Sequence, residues 1–184
     1  GTSVTVADVT AAGTIYYAIH EHDKIALYDG TRWKMYTFTE RSLAPTLVDG
    51  KIYDMFLYDN AGTLTMELSA AWTNDTTRAD ALTTQDGVRV KSGATTRRYL
   101  GTIRASGTNT TEDSAAKRFV WNAYNRVRRP MVVKESTDSW TYNSATYRAA
   151  NASNTNRLQF VQGLDEDAVE AMVIVEQNSN GAGQ

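Results

Sequence analysis

The stretch Leu82-Thr83-Thr84-Gln85-Asp86-Gly87-Val88-Arg89-Val90-Lys91-Ser92-Gly93-Ala94-Thr95-Thr96-Arg97-Arg98-Tyr99-Leu100-Gly101-Thr102-Ile103-Arg104-Ala105-Ser106 decides how the chain reads. Asp86-Gly87 readily takes the positive φ angles of a tight turn, and Val88-Arg89-Val90-Lys91 after it alternates apolar and polar side chains as a half-buried strand does. Ser92-Gly93 breaks that pattern. Arg98 to Arg104 resumes it as an apolar run with basic residues at both ends, and Ser106-Gly107-Thr108-Asn109 stops it. Two short strands on punctuated turns make a β-meander, and the same grammar recurs on both sides.

On the N-terminal side, Val4-Thr5-Val6 and Thr14-Ile15-Tyr16-Tyr17 read as short strands. A hairpin follows, with Ile25-Ala26-Leu27-Tyr28, Asp29-Gly30 as a two-residue turn, and Trp33 to Phe38 returning in alternation. Trp33, Met35 and Thr37 fall on one face and Lys34, Tyr36 and Phe38 on the other, so both faces are expected to pack on something. Pro45 cannot donate in a central strand and marks Ser42 to Leu47 as a connector. Ile52 to Tyr58, a turn at Asp59-Asn60-Ala61-Gly62, and Thr63 to Ser69 form a second hairpin, with Leu64, Met66 and Leu68 inward. Trp72 to Arg78 is polar and reads as a long ordered loop.

Thr110 to Arg129 supports two readings. As a helix it carries an N-cap at Thr110 or Thr111, early acids Glu112 and Asp113, and an apolar stripe of Ala116, Phe119, Val120, Ala123 and Val127. As a strand, Phe119, Trp121 and Ala123 line one face. Trp121, Tyr124 and Val127 favour strand, Asn122 and Asn125 suit a helix interior poorly, and Pro130 ends any helix here. Met131 to Lys134, Ser139 to Asn143, Thr146 to Ala149, Arg157 to Val161 and Ala168 to Val175 are expected to complete the strand series, before a small-residue tail. About a dozen short strands joined by turns imply a β-sandwich or barrel rather than βαβ units, and the lack of an internal repeat argues against a propeller or solenoid.

Composition narrows the function classes. The 184 residues suit one ordinary domain with a small extension, and a net charge of −2, from 19 basic and 21 acidic residues spread along the chain, offers no electrostatic funnel for nucleic acid. Cysteine is absent, which removes disulfides, thiolate zinc sites and a cysteine nucleophile together. No apolar run reaches the length of a membrane-spanning helix, and Gly1 to Thr10 is too polar for a secretory signal, so a soluble chain without membrane insertion is expected. Gly1 in place of an initiating methionine fits an excised piece of a longer protein and fits a tag remnant equally.

With the strands laid out, several phrases carry a resemblance: Ile25 to Trp33 (IALYDGTRW), Ala71 to Arg78 (AWTNDTTR), Leu82 to Val88 (LTTQDGV), Lys91 to Thr102 (KSGATTRRYLGT), Thr111 to Ser114 (TEDS) and Trp121 to Val127 (WNAYNRV). In this order, over roughly Gly13 to Asp167, they resemble a recurring domain of tailed-bacteriophage and prophage virion surface proteins, the C-terminal pieces of tail fibres, spikes or head decorations. The resemblance implies a particle surface and a homotrimer, and brings no catalytic residues with it. Strand grammar and resemblance together give the expected fold: an all-β, antiparallel β-sandwich of jelly-roll type. Residues 1–45 form N-terminal strands and a hairpin extension, 46–177 the sandwich, and 178–184 a flexible tail.

Candidate sites are few. His20-Glu21-His22-Asp23 is the only metal-like cluster; on a strand its two histidines would point the same way and could share an ion, whereas in a polar approach to the hairpin they would simply meet solvent or a neighbouring subunit. Asp165-Glu166-Asp167 lacks the spacing of an EF-hand loop and reads as a solvated turn. Pairs such as Asp54 with Asp59 or Glu112 with Asp113 could serve glycoside cleavage only at a separation the sequence does not give. Arg97, Arg98, Arg126, Arg128 and Arg129 make local basic spots that could meet acidic polysaccharide or phosphate, although arginine at strand ends more often pairs with local carboxylates or bridges subunits. Trp140, Tyr142 and Tyr147 alternate with Thr, Asn and Ser, the mix that stacks on sugar rings, although for Trp140 alone a core anchor is the more ordinary role. These three are taken as the ligand-binding candidates, with no catalytic residue, metal or cofactor assigned. The expected protein is a non-enzymatic virion domain that contacts other virion proteins and host-surface polysaccharide, with a capsid-decoration piece and a depolymerase as the competing readings.

Overall fold

The computed structural model describes residues 7–141, 143, 145–166 and 168–172. Among these there are fourteen strands, one short 3₁₀ turn and no α-helix, so the chain is all-β. In chain order, β1 (Val9–Ala12) and β2 (Ile15–Tyr17) precede the hairpin of β3 (Lys24–Tyr28) and β4 (Trp33–Thr37), followed by β5 (Arg41–Leu43). Then come β6 (Ile52–Asn60), β7 (Thr63–Leu68), β8 (Leu82–Gln85), β9 (Val88–Lys91) and β10 (Ala94–Gly107). The last are β11 (Thr110–Asp113), β12 (Lys117–Arg118), β13 (Val120–Asn122) and β14 (Gln159–Phe160).

Tight turns set the registers. Asp86 and Gly87 have φ of 48° and 85°, and Ala61 and Gly62 of 50° and 92°, the paired positive values that match a two-residue connection to the twist of the flanking strands. The first hairpin departs from expectation. Tyr28 pairs with Trp33, so its connection is the four residues Asp29 to Arg32 rather than a two-residue Asp29-Gly30 turn. The Asp29 carboxylate accepts the N–H groups of Thr31 and Arg32, both at 2.9 Å, which folds the chain over its own side chain instead.

Ten strands form one mixed sheet in the order β14-β12-β11-β10-β6-β7, with β1 on β11, β13 and β9 on β10, and β8 on β9; β12 and β14 run parallel and the other pairs antiparallel. The axis is β10, at 14 residues the longest strand. It begins at Ala94 rather than Arg98, because Ser92-Gly93 is itself a turn that brings Ala94 back opposite Lys91. Two ribbons, β2 with β5 and β3 with β4, lie against one face of β6, β7 and β10. The core between them is Ile15, Ile25, Leu27 and Phe38 from the ribbons with Tyr53, Met55, Leu57, Leu64, Met66, Leu100 and Ile103 from the sheet. The first hairpin therefore buries only one of its two faces. On the other, Met35 is 66% exposed, and Trp33 reaches out to donate its indole N–H to Asp86 at 3.0 Å.

Residues 110–129 contain strands and no helix, and the side chain of Asn122 ends β13 by accepting the N–H groups of Tyr124 and Asn125 at 2.8 and 3.1 Å. Beyond this point the expected strand series fails. Met131 to Lys134, the described part of Ser139 to Asn143, and Thr146 to Ala149 form no strand. Arg157 to Val161 shrinks to β14, and 168–172 is irregular. Alternation marks a chain that could face a core, but a strand needs a neighbour to complete its ladder. The Val132 N–H bonded to the Ala115 carbonyl at 3.0 Å ties the 131–134 stretch to the sheet without building a ladder. The expected strands at 4–6 and 173–175, and the tail at 178–184, lie outside the described residues.

Candidate functional site

On the sheet face opposite the ribbons, the chain builds a buried polar cluster around Asp54. A register shift between Tyr99 and Gly101 makes it possible: Tyr99 pairs with Phe56 while Gly101 pairs with Met55, leaving Leu100 as the extra residue of a bulge. In a regular strand Tyr99 and Thr102, three apart, would point to opposite faces. The bulge turns them to the same face, beside Asp54. There the Asp54 Oδ1 accepts the Thr102 hydroxyl at 2.7 Å, and Oδ2 accepts the Trp72 indole N–H at 3.1 Å and Arg78 Nε at 2.8 Å. The Tyr99 hydroxyl closes the chain on Thr102 at 2.6 Å, and the Arg78 guanidinium lies 4.4 Å over the Trp72 ring while also donating to the Gly163 carbonyl.

This cluster holds the fold together rather than offering chemistry to a substrate. Asp54, Tyr99 and Thr102 are each 0% exposed. Gly163 seals the site: a Cβ there would stand 2.2 Å from the Tyr99 hydroxyl oxygen and 2.5 Å from Thr102 Oγ1. Burial raises the carboxyl pKa of Asp54, an effect the Thr102 hydroxyl and the Arg78 charge partly offset, and burial likewise pushes the Tyr99 phenol up. Through Trp72 and Arg78 the cluster fastens the long 70–80 loop, and through Gly163 the C-terminal strand region, onto one face.

The sequence candidates are dispersed. Trp140 is 42% exposed and Tyr147 fully exposed, so Trp140 is no core anchor; Tyr142 lies outside the described residues. Neither Trp140 nor Tyr147 joins any of the ring pairs among the described residues. His20 and His22 sit exposed in the bend between β2 and β3 rather than on a strand, and no group of three metal-ligating side chains occurs among the described residues. Of the acid pairs, Asp54 is buried, Asp59 accepts the Tyr36 hydroxyl and the Gly62 N–H, Glu112 pairs with Lys117, and Asp113 with Arg118 and Arg129. Arg97 pairs with Glu67 and lies 4.1 Å over the Tyr58 ring, so local pairing accounts for much of the basic character.

An open groove of about 430 Å³ is formed where three distant segments meet: Thr84, Gly87, Val88 and Arg89 of the β8–β9 hairpin, Ala123, Tyr124 and Arg126 after β13, and Leu164 with Glu166. Arg126 bonds Glu166 at 2.8 Å and Arg89 reaches the same carboxylate at 3.5 Å. Tyr124 stands at its side with the Arg98 guanidinium 4.6 Å from its ring. No protein-family model, curated protein or solved structure matches the chain. The groove is thus read from its own chemistry. Sequence reasoning marked Arg98 and Arg126 but passed over Arg89, an ordinary outward residue of a strand, and took Glu166 as part of a solvated turn. No local pattern links residues 89, 126 and 166, which only the packing of three segments brings together.

Proposed function

We propose that this chain is a non-enzymatic virion surface domain of tailed-bacteriophage type, which associates as a homotrimer and presents its exterior to host-envelope carbohydrate. The observation that carries the reading is the distribution of uncovered apolar surface. Among the described residues, nine of the twelve exposed large hydrophobic side chains lie between Tyr124 and Met172, including Val132 at 65%, Tyr147 at 101% and Met172 at 80% exposure. A segment that gives only the two-residue β14 to the sheet and otherwise exposes apolar side chains is suited to meeting copies of itself, where main-chain groups and side chains gain partners together. In this reading the two ribbons form the second layer of a jelly-roll sandwich over the main sheet, and the exposed Trp140 and Tyr147 belong to the displayed side. Carboxylates committed to arginine and lysine, at Asp54, Glu67, Glu112 and Asp113, favour a binding role over glycoside cleavage.

Light scattering on the purified chain, run beside a glycan array, tests the proposal: a trimeric mass with binding to host-envelope glycans is expected, and a monomer inert toward every envelope extract would sink it. The same exposed apolar stretch also favours a second reading, a head-fibre or capsid-decoration piece that docks on other virion proteins. Association with isolated capsids and no affinity for host cells would select that alternative.

A further inference from the structure

We propose that the groove between the β8–β9 hairpin, residues 123–126 and residues 164–166 binds a carboxylate-bearing saccharide, with Glu166 holding the place of the ligand's carboxylate. The inference rests on the host-attachment reading above and names the class of sugar and its site. Two guanidiniums from distant parts of the chain converge on a single carboxylate, one at 2.8 Å from Arg126 and one at 3.5 Å from Arg89. The fork of an arginine matches a carboxylate in plane and charge, so a ligand carboxylate set between Arg89 and Arg126 would find the geometry already built.

Glu166 and Arg89 have side chains 44% and 46% exposed, and an ion pair so open to solvent contributes little to stability; the closer bond to Arg126, 29% exposed, is the one that a ligand carboxylate replaces in kind. Arg89 and Arg126, with Arg98 beside Tyr124, stand against Glu166, its neighbour Asp165 and Asp86 beside Gly87, whose carboxylate already accepts the Trp33 indole and Gln85 amide N–H groups, so the attraction for an anion comes from the converging guanidiniums and not from an excess of positive charge. Tyr124, 47% exposed, adds an aromatic ring with a hydroxyl at its end, and the Thr84 hydroxyl, 3.4 Å from Arg89, adds a polar contact for sugar hydroxyls. A volume of about 430 Å³ lies within the range of small-ligand sites.

Arg89→Ala and Glu166→Gln separate this arrangement from a surface ion pair with no ligand. Titration calorimetry would be run with oligomers of galacturonic, glucuronic and N-acetylneuraminic acid, each beside its carboxyl-reduced neutral counterpart, on chains whose melting confirms that they are folded. The expected result is binding of at least one acidic oligomer in preference to its neutral form, weakened roughly tenfold by Arg89→Ala and strengthened several-fold by Glu166→Gln, which removes the competing charge. The opposite signs are the signature, since loss of a merely structural pair would move both variants the same way. Acidic-sugar binding unchanged in both variants, or no preference for acid over neutral forms, overturns the groove assignment. Retained binding of neutral envelope glycans in that case would leave the attachment reading standing.

Discussion

Arg78→Met tests the claim that the Asp54 cluster fastens the 70–80 loop and the Gly163 region to the sheet. The substitution keeps most of the apolar stem over Trp72 but removes the charge that faces Asp54 at 2.8 Å and the donor to the Gly163 carbonyl. Asp54 is 0% exposed, so the variant leaves a buried carboxylate with only the Thr102 and Trp72 donors. Breaking a buried pair on one side costs about 3–5 kcal/mol, which for a chain of this size lowers the Tm by about 6–20 °C. The pH dependence gives a second, independent signature. Burial already raises the Asp54 pKa, and loss of the arginine raises it further, so the folded variant takes up a proton more readily than the unfolded chain. A raised folded pKa adds stability that is present at low pH and is lost as pH rises through that pKa, so the variant's deficit shrinks on acidification, by at most about 1.4 kcal/mol per pH unit. Urea melts of wild type and variant across pH 5 to 8 measure both effects. The double variant Asp54→Leu/Arg78→Met, which removes both charges, is expected to recover most of the loss. A deficit below about 0.5 kcal/mol, or one that grows as the solution is acidified, would refute the reasoning.

Two further outcomes follow from the backbone. Gly163→Ala drives a methyl group against the Tyr99 and Thr102 oxygens and should destabilise the chain by about 1–3 kcal/mol in denaturant melts, with hydrogen exchange accelerated around residues 161–164; unchanged exchange there would mean the segment is not seated on the cluster. Ala61→Asn is expected to stabilise by about 0.5–1 kcal/mol, seen as a raised Tm, because Ala61 sits at φ 50° in the β6–β7 turn and asparagine tolerates that conformation better.

The β class and the hairpin positions between residues 24 and 107 were legible in the sequence, because turn residues and period-two alternation are local properties; the four-residue first connection, the strand at Arg41–Leu43 and the bulge at Leu100 were not. Leu64 and Met66 face the core as their alternation requires, and Asp86-Gly87 turns the chain where the dipeptide permits it. From Tyr124 onward the same signals mostly misled, and among the described residues only the middle of Arg157 to Val161 forms one of the expected strands, as β14. Val132 and Val133 have the residue types of a strand, but whether a strand exists depends on a neighbour with free main-chain groups at the right distance, and among the described residues, 131–134 gain only the bond from Val132 to Ala115. The two sites of interest are tertiary in origin. The bulge at Leu100 puts Tyr99 and Thr102 on one face with Asp54, and the packing of three remote segments gathers Arg89, Arg126 and Glu166. Alternation and turn chemistry act over a few residues, and so they can be read along the chain. Where distant side chains meet depends on register shifts and packing between strands, which exist only once the sheet has formed.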